Sequence, residues 1–376
     1  MNSVGRLIMF LAIVLLTWTL MHVFVLTRVW SLPLFSAPGA RRWLIAAFVF
    51  LWISFPLAQF LARSVGRGAL PLDVFASVWL GVLFLLFIWL LAADVVTGFG
   101  WLLPRVAPTA RSVAAVVAIV LSVAGVVQGG RAPTVHSYEV RVPDLRAEDD
   151  GLVAVQITDL HLGELLGRQW LEARVDQVQA LRPDIILMTG DLLNEVDLVE
   201  PMLPVLRRLH APLGVYAVTG NHEFYAGLEP SVRLFEAAGF RVLRNTAVEA
   251  KPGLVLAGVD DLTAGRQFNL PNQAIERALV GRPPGATIFL SHSPWGGDQA
   301  AKLGAGLMLS GHTHGGQIWP FTYFVRLVYP HVLGRYTIGG MTWIVSRGTG
   351  FWGPPMRLFR EAEILRITLR HPQTAH

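Results

Sequence analysis

Cysteine is absent from the 376-residue sequence, which removes disulfides, thiolate metal ligands and cysteine nucleophiles together. Charge is scarce as well. Only 15% of residues are Asp, Glu, Lys or Arg, against 53% hydrophobic, whereas a soluble domain carries about 25% charged residues. A wholly soluble protein is therefore disfavoured. So is disorder, which needs low hydrophobicity and high charge. Acids are nearly missing from the first third: residues 1–136 hold nine Arg against Asp73 and Asp94 alone, while residues 137–376 hold 22 basic and 24 acidic residues. The basic excess belongs to the hydrophobic N-terminal part, and nucleic acid is not expected as a partner.

Apolar residues fill four runs, at about 7–26, 43–62, 74–96 and 112–130. A bilayer-spanning helix needs about 20 predominantly apolar residues, so residues 1–130 predict an α-helical membrane domain of about four transmembrane helices. The expected location is the cell membrane, as a multi-pass protein. Trp18, Trp30, Trp43, Trp79, Trp89 and Trp101 lie in these runs or at their edges and suit an interfacial belt. The first run exceeds the 7–15 apolar residues of a signal peptide and no small-x-small site follows it, so it reads as a retained anchor. Pro56 is expected to kink the second span. Asp94 and His22, near span ends, are read as reaching the interface rather than marking an ion pathway.

From about Tyr138 the composition changes. Strands are expected at 152–158, 184–189, 214–219, 254–259, 286–291, 306–310 and 342–346, with helices near 168–181, 196–209 and 229–238. Alternation of this kind predicts an α/β layered domain over 152–370. The stretch 131–151, with two prolines and an acidic cluster at 148–150, reads as a linker.

Five of the expected strands end in polar residues of related type: Asp159-Leu-His161, Gly190-Asp191, Gly220-Asn221-His222-Glu223, His292, and Gly311-His312-Thr313-His314. Ligands of α/β sheets gather at the carboxyl ends of strands, so one rim would receive two Asp, one Asn and five His. Asp159 and His161, like His312 and His314, are two apart, and an extended chain projects such residues to one side. Gly190, Gly220 and Gly311 are expected to supply the sharp strand exits. Imidazole with carboxylate suits a first-row divalent ion better than calcium. The candidates are too many for one tetrahedral ion, whereas two ions about 3.5–4 Å apart, sharing a carboxylate, would use them all. Each piece alone is an ordinary structural feature, and the set carries the signal. His22, His136, His210, His331, His371 and His376 have no such context.

Together these five blocks resemble those of the calcineurin-like metallophosphoesterases. Gly311–Gln317 (GHTHGGQ), with Val345-Ser-Arg-Gly348 and Pro355-x-Arg357, is similar to the bacterial YkuE-like predicted phosphohydrolases. The layout resembles transmembrane proteins with a C-terminal metallophosphoesterase domain. The resemblance implies helices packed around a β-sandwich and two divalent metal ions (Mn, Fe or Zn). It implies one ion held by Asp159, His161, Asp191 and His314, and a second held by Asp191, Asn221, His292 and His312. His222 would be the general acid toward the leaving-group oxygen. Phosphoprotein phosphatases of this superfamily follow Gly-Asp with Asp-Arg-Gly. Here Leu-Leu-Asn-Glu-Val follows Asp191, which favours a phosphodiester or diphosphate over a phosphoprotein.

Arg347 and Arg357 are candidates for phosphate contacts or for structural roles, and Asp260-Asp261 for a turn or for support of the site. The aromatic segment 318–336 (IWPFTYFVRLVYPHVLGRY) either enters the core or forms an apolar lip for an acyl chain or the bilayer. The expected function is a membrane-anchored phosphoesterase whose partners are the membrane and a phosphoester substrate, in one reading lipid-linked. The YkuE-like resemblance makes a UDP-linked acylated sugar one such substrate. The competing reading is a non-catalytic metal-binding scaffold or a membrane sensor on the same fold, although such scaffolds typically lose metal ligands and none is missing here.

Overall fold

Long apolar runs become four helices: α1 (Ser3–Trp30), α2 (Pro38–Val65), α3 (Leu70–Val96) and α4 (Ala107–Gly129). The structure is a computed structural model and describes residues 3–65 and 70–372, so His376 lies outside the described residues. Each helix holds a segment long and apolar enough to cross a membrane: Ala12–Trp30, Pro38–Leu61, Leu70–Val96 and Ala107–Gly129. α2 continues through Pro56. Contiguous outward residues such as Ile13, Leu16 and Leu20 on α1 and Val113, Val116 and Val120 on α4 are exposed. Patches of that kind are rare on a soluble monomer and carry no cost against lipid tails.

The chain divides into two compact units, Met1–Gly130 with Gly353–Leu358, and Arg131–Trp352 with Phe359–His376. In the first, small buried residues of α4 (Ala114, Ala118, Ser122, Gly125) allow close approach of neighbouring backbone. A Cβ on Gly129 would lie 2.7 Å from the Pro355 carbonyl oxygen, and the Arg357 N–H donates to Gly125 O at 2.9 Å. Asp94 and His22 are both buried and have polar partners within this unit. Asp94 is fully buried and accepts from Arg28 Nε at 2.8 Å and Arg111 Nε at 2.7 Å. His22 accepts from Trp79 Nε1 at 2.9 Å, while its Nδ1 meets the Trp18 carbonyl at 2.8 Å.

The second unit contains β1 (Thr134–Arg141), β2 (Val153–Ile157), β3 (Ile185–Thr189), β4 (Val215–Val218), β5 (Arg241–Val242) and β6 (Thr246–Lys251). β7 (Leu254–Gly258), β8 (Ala286–Leu290), β9 (Leu307–Ser310), β10 (Gly334–Ile338), β11 (Met341–Val345) and β12 (Glu363–Arg370) follow. They form two six-stranded sheets, β1-β12-β2-β3-β4-β5 and β10-β11-β9-β8-β7-β6. Within them β2, β3, β4 and β5 run parallel, as do β7, β8, β9 and β11. Side chains from both sheets, among them Leu187, Val218, Leu256, Ile288, Leu309 and Ile367, share one buried core. The outer faces are covered by helices that include Arg168–Ala180 and Leu228–Ala237 on one side and Ala274–Leu279 and Gly297–Lys302 on the other.

Two sequence expectations change here. The 131–151 stretch is no free linker, because β1 pairs with β12 along its whole length from Thr134↔Glu363 to Arg141↔Arg370. Val140, Val142 and Leu145 anchor this stretch in the intersheet core. The helix expected over 196–209 breaks into Val196–Val199, a 3-10 turn Glu200–Met202, and Leu203–Leu206. Pro201 and Pro204 each remove a helical donor.

Candidate metal centre

β2, β3 and β4 belong to one sheet, β8 and β9 to the other, and the loops leaving their carboxyl ends converge. Asp159, His161 and His314 place one potential ligand atom each within 4.8 Å of one another; Asp191, His292 and His312 do likewise, and so do His161, Asp191 and His222. Asp191 is common to the last two groups. Asn221 opens the short helix Asn221–Ala226 after β4 and is buried. All eight expected site residues therefore come from strand-end loops of this unit, and of those grouped by these distances His222 and His312 are partly buried while the others are buried.

The backbone achieves this differently from the sequence expectation. Asp159, His161, Asp191, His312 and His314 themselves adopt positive φ, between 47° and 72°, a region costly for non-glycine residues and frequent at functional sites. The paired residues are thus not projected by an extended chain. Of the three glycines, only Gly190 uses positive φ, at 88°. Gly220 and Gly311 are required by crowding: a Cβ would lie 2.1 Å from Asp191 Oδ1 at Gly220 and 2.3 Å from Asp159 Oδ2 at Gly311.

Hydrogen bonds then aim the side chains. Asp159 accepts from Thr158 Oγ1 at 2.8 Å and from the His312 N–H at 3.0 Å. The His222 N–H donates to Asp191 Oδ1 at 2.9 Å. His161 Nδ1 meets Asn194 Oδ1 at 3.1 Å, and His292 Nδ1 meets the Thr189 carbonyl at 2.8 Å. Both partners accept, so these Nδ1 atoms carry the proton and each Nε2 turns toward the cluster. His312 Nε2 meets Tyr329 Oη at 2.7 Å, leaving Nδ1 to face His292.

These residues fit a pair of cations. His161 Nε2 lies 3.1 Å from His314 Nε2, and His292 Nε2 lies 3.2 Å from His312 Nδ1. Burial and the neighbouring His222 push the His161 imidazole down to about 3. Burial and His292 push that of His312 down to about 3 as well. Both rings are thus neutral, the form that donates a lone pair to a metal. Burial lifts Asp159 to about 6 against the pull of His292. Burial would also raise Asp191, yet His292, His222 and His161 hold its carboxylate well below the usual range. Burial likewise opposes charge on His292, and the Asp191 carboxylate keeps its imidazole well above the ordinary value. The cluster is short of positive charge. Asn221 Oδ1 is buried without a hydrogen-bond partner among the described residues, and a buried acceptor left unmatched calls for a missing ion or water.

Glu223 has no role in the sequence reading beyond its place after His222, and here it supports the site. Its buried carboxylate accepts from the backbone N–H groups of Gly220 at 2.6 Å, Asp191 and Leu192 at 2.9 Å, and Leu193 at 3.4 Å. One side chain thereby holds the Asp191 loop and the Asn221–His222 loop together. Glu at the third position after a helix cap is the sequence signal that would have marked it. Asp260 and Asp261 also support the site. Asp260 accepts from Thr219 Oγ1 and Arg244 Nε at 3.0 and 3.1 Å. Asp261 caps the Leu262–Gln267 helix through the Ala264 N–H at 2.6 Å and accepts from Ser293, which follows His292. Arg347 is committed to Glu363, with Nε to Oε2 at 2.9 Å, and Arg357 is buried rather than a surface group.

The 318–336 segment is part core and part surface. Ile318, Thr322 and Val332 are buried, and Thr322 Oγ1 donates to the Gly315 carbonyl at 2.7 Å, pinning the Thr322–Val328 helix beside the His314 loop. Phe321, Tyr323, Phe324, Leu327 and Val328 remain exposed, Leu327 by 84%. Trp352 is also exposed and its ring centroid lies 5.8 Å from that of His222.

Known proteins resemble the part of the chain that carries this cluster. A family profile described as calcineurin-like phosphoesterase matches residues 152–316. A Danio rerio protein named "Transmembrane protein with metallophosphoesterase domain" is 34% identical over 271 residues, covering 68% of this chain and 62% of that protein. The chain thus spans less than two thirds of that relative's length. An uncharacterized metallophosphoesterase of Aquifex aeolicus is 36% identical over 217 residues, 57% of this chain and 83% of its own. The uncharacterized metallophosphoesterase YkuE of Bacillus subtilis is 30% identical over 235 residues, 59% and 80% respectively. Bacterial relatives matched along about four fifths of their own length, over the domain that carries the cluster, make this chain a member of the calcineurin-like metallophosphoesterase family.

Proposed function

We propose that the protein is a membrane-anchored, dinuclear metal-dependent phosphoesterase that hydrolyses a phosphodiester or diphosphate bond in a lipid-linked substrate. The observation that carries this reading is the overlap of three groups of potential ligand atoms, two of which share Asp191 and two of which share His161. Asp159, His161, Asp191 and His314 would hold one divalent ion; Asp191, Asn221, His292 and His312 would hold the second. Bound ions of the Mn, Fe or Zn class supply Lewis-acid polarisation of the phosphoryl group and lower the pKa of the attacking water. Thr158, Asn194, Thr189 and Tyr329 keep the ligand atoms aimed. His222, at the edge of the cluster, gives the leaving-group oxygen its proton.

Two features support the substrate class. The five residues after Asp191, Leu-Leu-Asn-Glu-Val, include no arginine, whereas phosphoprotein phosphatases follow Gly-Asp with an Asp-Arg-Gly segment whose arginine grips a monoester. The exposed apolar face of the Thr322–Val328 helix suits an acyl chain, and the four apolar helices keep the enzyme where such substrates reside. A UDP-linked acylated sugar has both an acyl part and a diphosphate.

The test is hydrolysis by the purified full-length protein with Mn²⁺ on matched mono- and diesters, soluble and lipid-linked. Diesters should exceed monoesters, lipid-linked diesters should exceed soluble ones, and Asp191→Asn should abolish all turnover. Undiminished hydrolysis by Asp191→Asn would end the assignment.

A further inference from the structure

A concavity lined by none of the candidate ligands lies in the same unit as the metal cluster. It is a cavity of about 640 Å³, within the range of small-ligand sites. Phe224, two residues after His222, lines it, and so does Asp261, which grips the residue following His292. The cavity therefore borders the cluster at two of its loops. None of the roles assigned above uses it.

Its walls combine aromatic planes with free positive charge. Phe268 stacks on Phe224, centroids 5.8 Å apart at 28°, yet stays 51% exposed, which leaves a face for another ring. Opposite in composition, the Arg266 guanidinium lies 4.4 Å over the Trp295 ring. Among the described residues, Arg266 and Arg277 have no carboxylate within ion-pair distance. The acids in the wall are already engaged: Asp260 by Arg244, Thr219 and Asn245, and Asp261 by Ala264 and Ser293. The cavity thus offers planar stacking surfaces and unpaired guanidinium groups while its carboxylates are neutralised or spoken for. A planar heterocycle carrying a phosphate meets both demands, since bases stack on aromatic rings and arginine binds phosphate oxygens in a fork.

We propose that this cavity is a subsite for a nucleoside monophosphate unit, the polar arm of the substrate, with Phe268 stacking on the base and Arg266 and Arg277 contacting its phosphate. The proposal rests on the hydrolase reading for its place in turnover, and its binding test does not. Calorimetric titration of the full-length protein in detergent, stripped of metal with EDTA, compares UMP, AMP, ribose 5-phosphate and inorganic phosphate. At least one nucleotide should bind ten or more times tighter than ribose 5-phosphate. Phe268→Ala, at an exposed side chain, should weaken that nucleotide about tenfold, in line with loss of one stacked ring, and leave ribose 5-phosphate unaffected. Arg266→Ala should weaken the nucleotide and ribose 5-phosphate alike. Nucleotides binding no tighter than ribose 5-phosphate, or both variants binding as the wild type does, would overturn the subsite. Mn²⁺-dependent hydrolysis of an aryl phosphodiester is measured on the same preparation: its failure with nucleotide binding intact removes the hydrolase reading and leaves the subsite standing.

Discussion

Glu223→Gln isolates how much the site depends on one side chain that touches no candidate ligand atom. Oε2 accepts from the Gly220 and Asp191 amides at 2.6 and 2.9 Å, and Oε1 from Leu192 at 2.9 Å with Leu193 at 3.4 Å. Glutamine keeps the shape and one acceptor oxygen. Whichever way its amide turns, one of the two groups of backbone donors faces an NH₂ and loses its partner. Burial and the Asp191 charge push Glu223 up to about 7, so above that pH, where it is ionised, each hydrogen bond to it contributes about 1.5–3 kcal/mol, and a buried donor left unpaired costs about 1–3 kcal/mol. Loss of the Gly220–Asp191 pair therefore corresponds to about 3–5 kcal/mol. At about 2–4 °C per kcal/mol for a domain of this size, the catalytic domain's melting temperature should fall by about 10 °C. Because the lost bonds join the loop of Asp191 to that of Asn221, Mn²⁺ affinity should fall with it, by more than tenfold. Differential scanning fluorimetry in detergent, with and without Mn²⁺, reads both effects. A shift below about 2 °C with unchanged Mn²⁺ affinity would refute the clamp.

Four other outcomes follow from the same structure. Gly220→Ala would put a methyl 2.1 Å from Asp191 Oδ1, so calorimetric Mn²⁺ binding should weaken at least tenfold even though alanine suits the backbone there. Tyr329→Phe removes the 2.7 Å contact that orients His312; metal affinity should drop about 10–100-fold, as for other lost ligand-orienting partners, and an unchanged titration would show that the ring is held by packing alone. Replacing Phe321 and Phe324 with Asp should reduce turnover of micellar diesters far more than that of soluble ones, whereas equal losses would assign those rings to folding. Asp94→Asn leaves Arg28 and Arg111 without the carboxylate between them. Breaking a buried pair costs about 3–5 kcal/mol, so the bundle should melt earlier in detergent, and an unaltered melt would make the triad dispensable.

The parts legible in the sequence are those in which local composition alone carries the physics. Continuous apolar runs marked α1 to α4, and the seven strands buried on both faces, such as Ile185–Thr189 and Ala286–Leu290, stood out as short apolar segments. The strands that escaped were of other kinds. β10 and β6 are half-exposed edges with no apolar run, and β5 has two residues. β1 and β12 interleave polar residues and make sense only as partners more than 220 residues apart in the chain. No local window contains that pairing.

By itself, the sequence determined which chemistry was on offer: imidazoles, carboxylates and one amide at the ends of five strands, no thiols, and an apolar anchor that accounts for the basic excess. Tertiary structure decided everything that requires distant loops to meet. It set Asp191 in two of the three ligand groups, placed strain on the Asp and His residues rather than on Gly220 and Gly311, and made Glu223 the tie between loops. It also turned Arg347 away to Glu363 and left the Phe268–Arg266 cavity open in the same unit as the cluster. The reason is one of range. Side-chain type and periodicity are local properties, whereas ligand geometry, desolvation and backbone crowding arise only when the sheets pack and their loops share one volume.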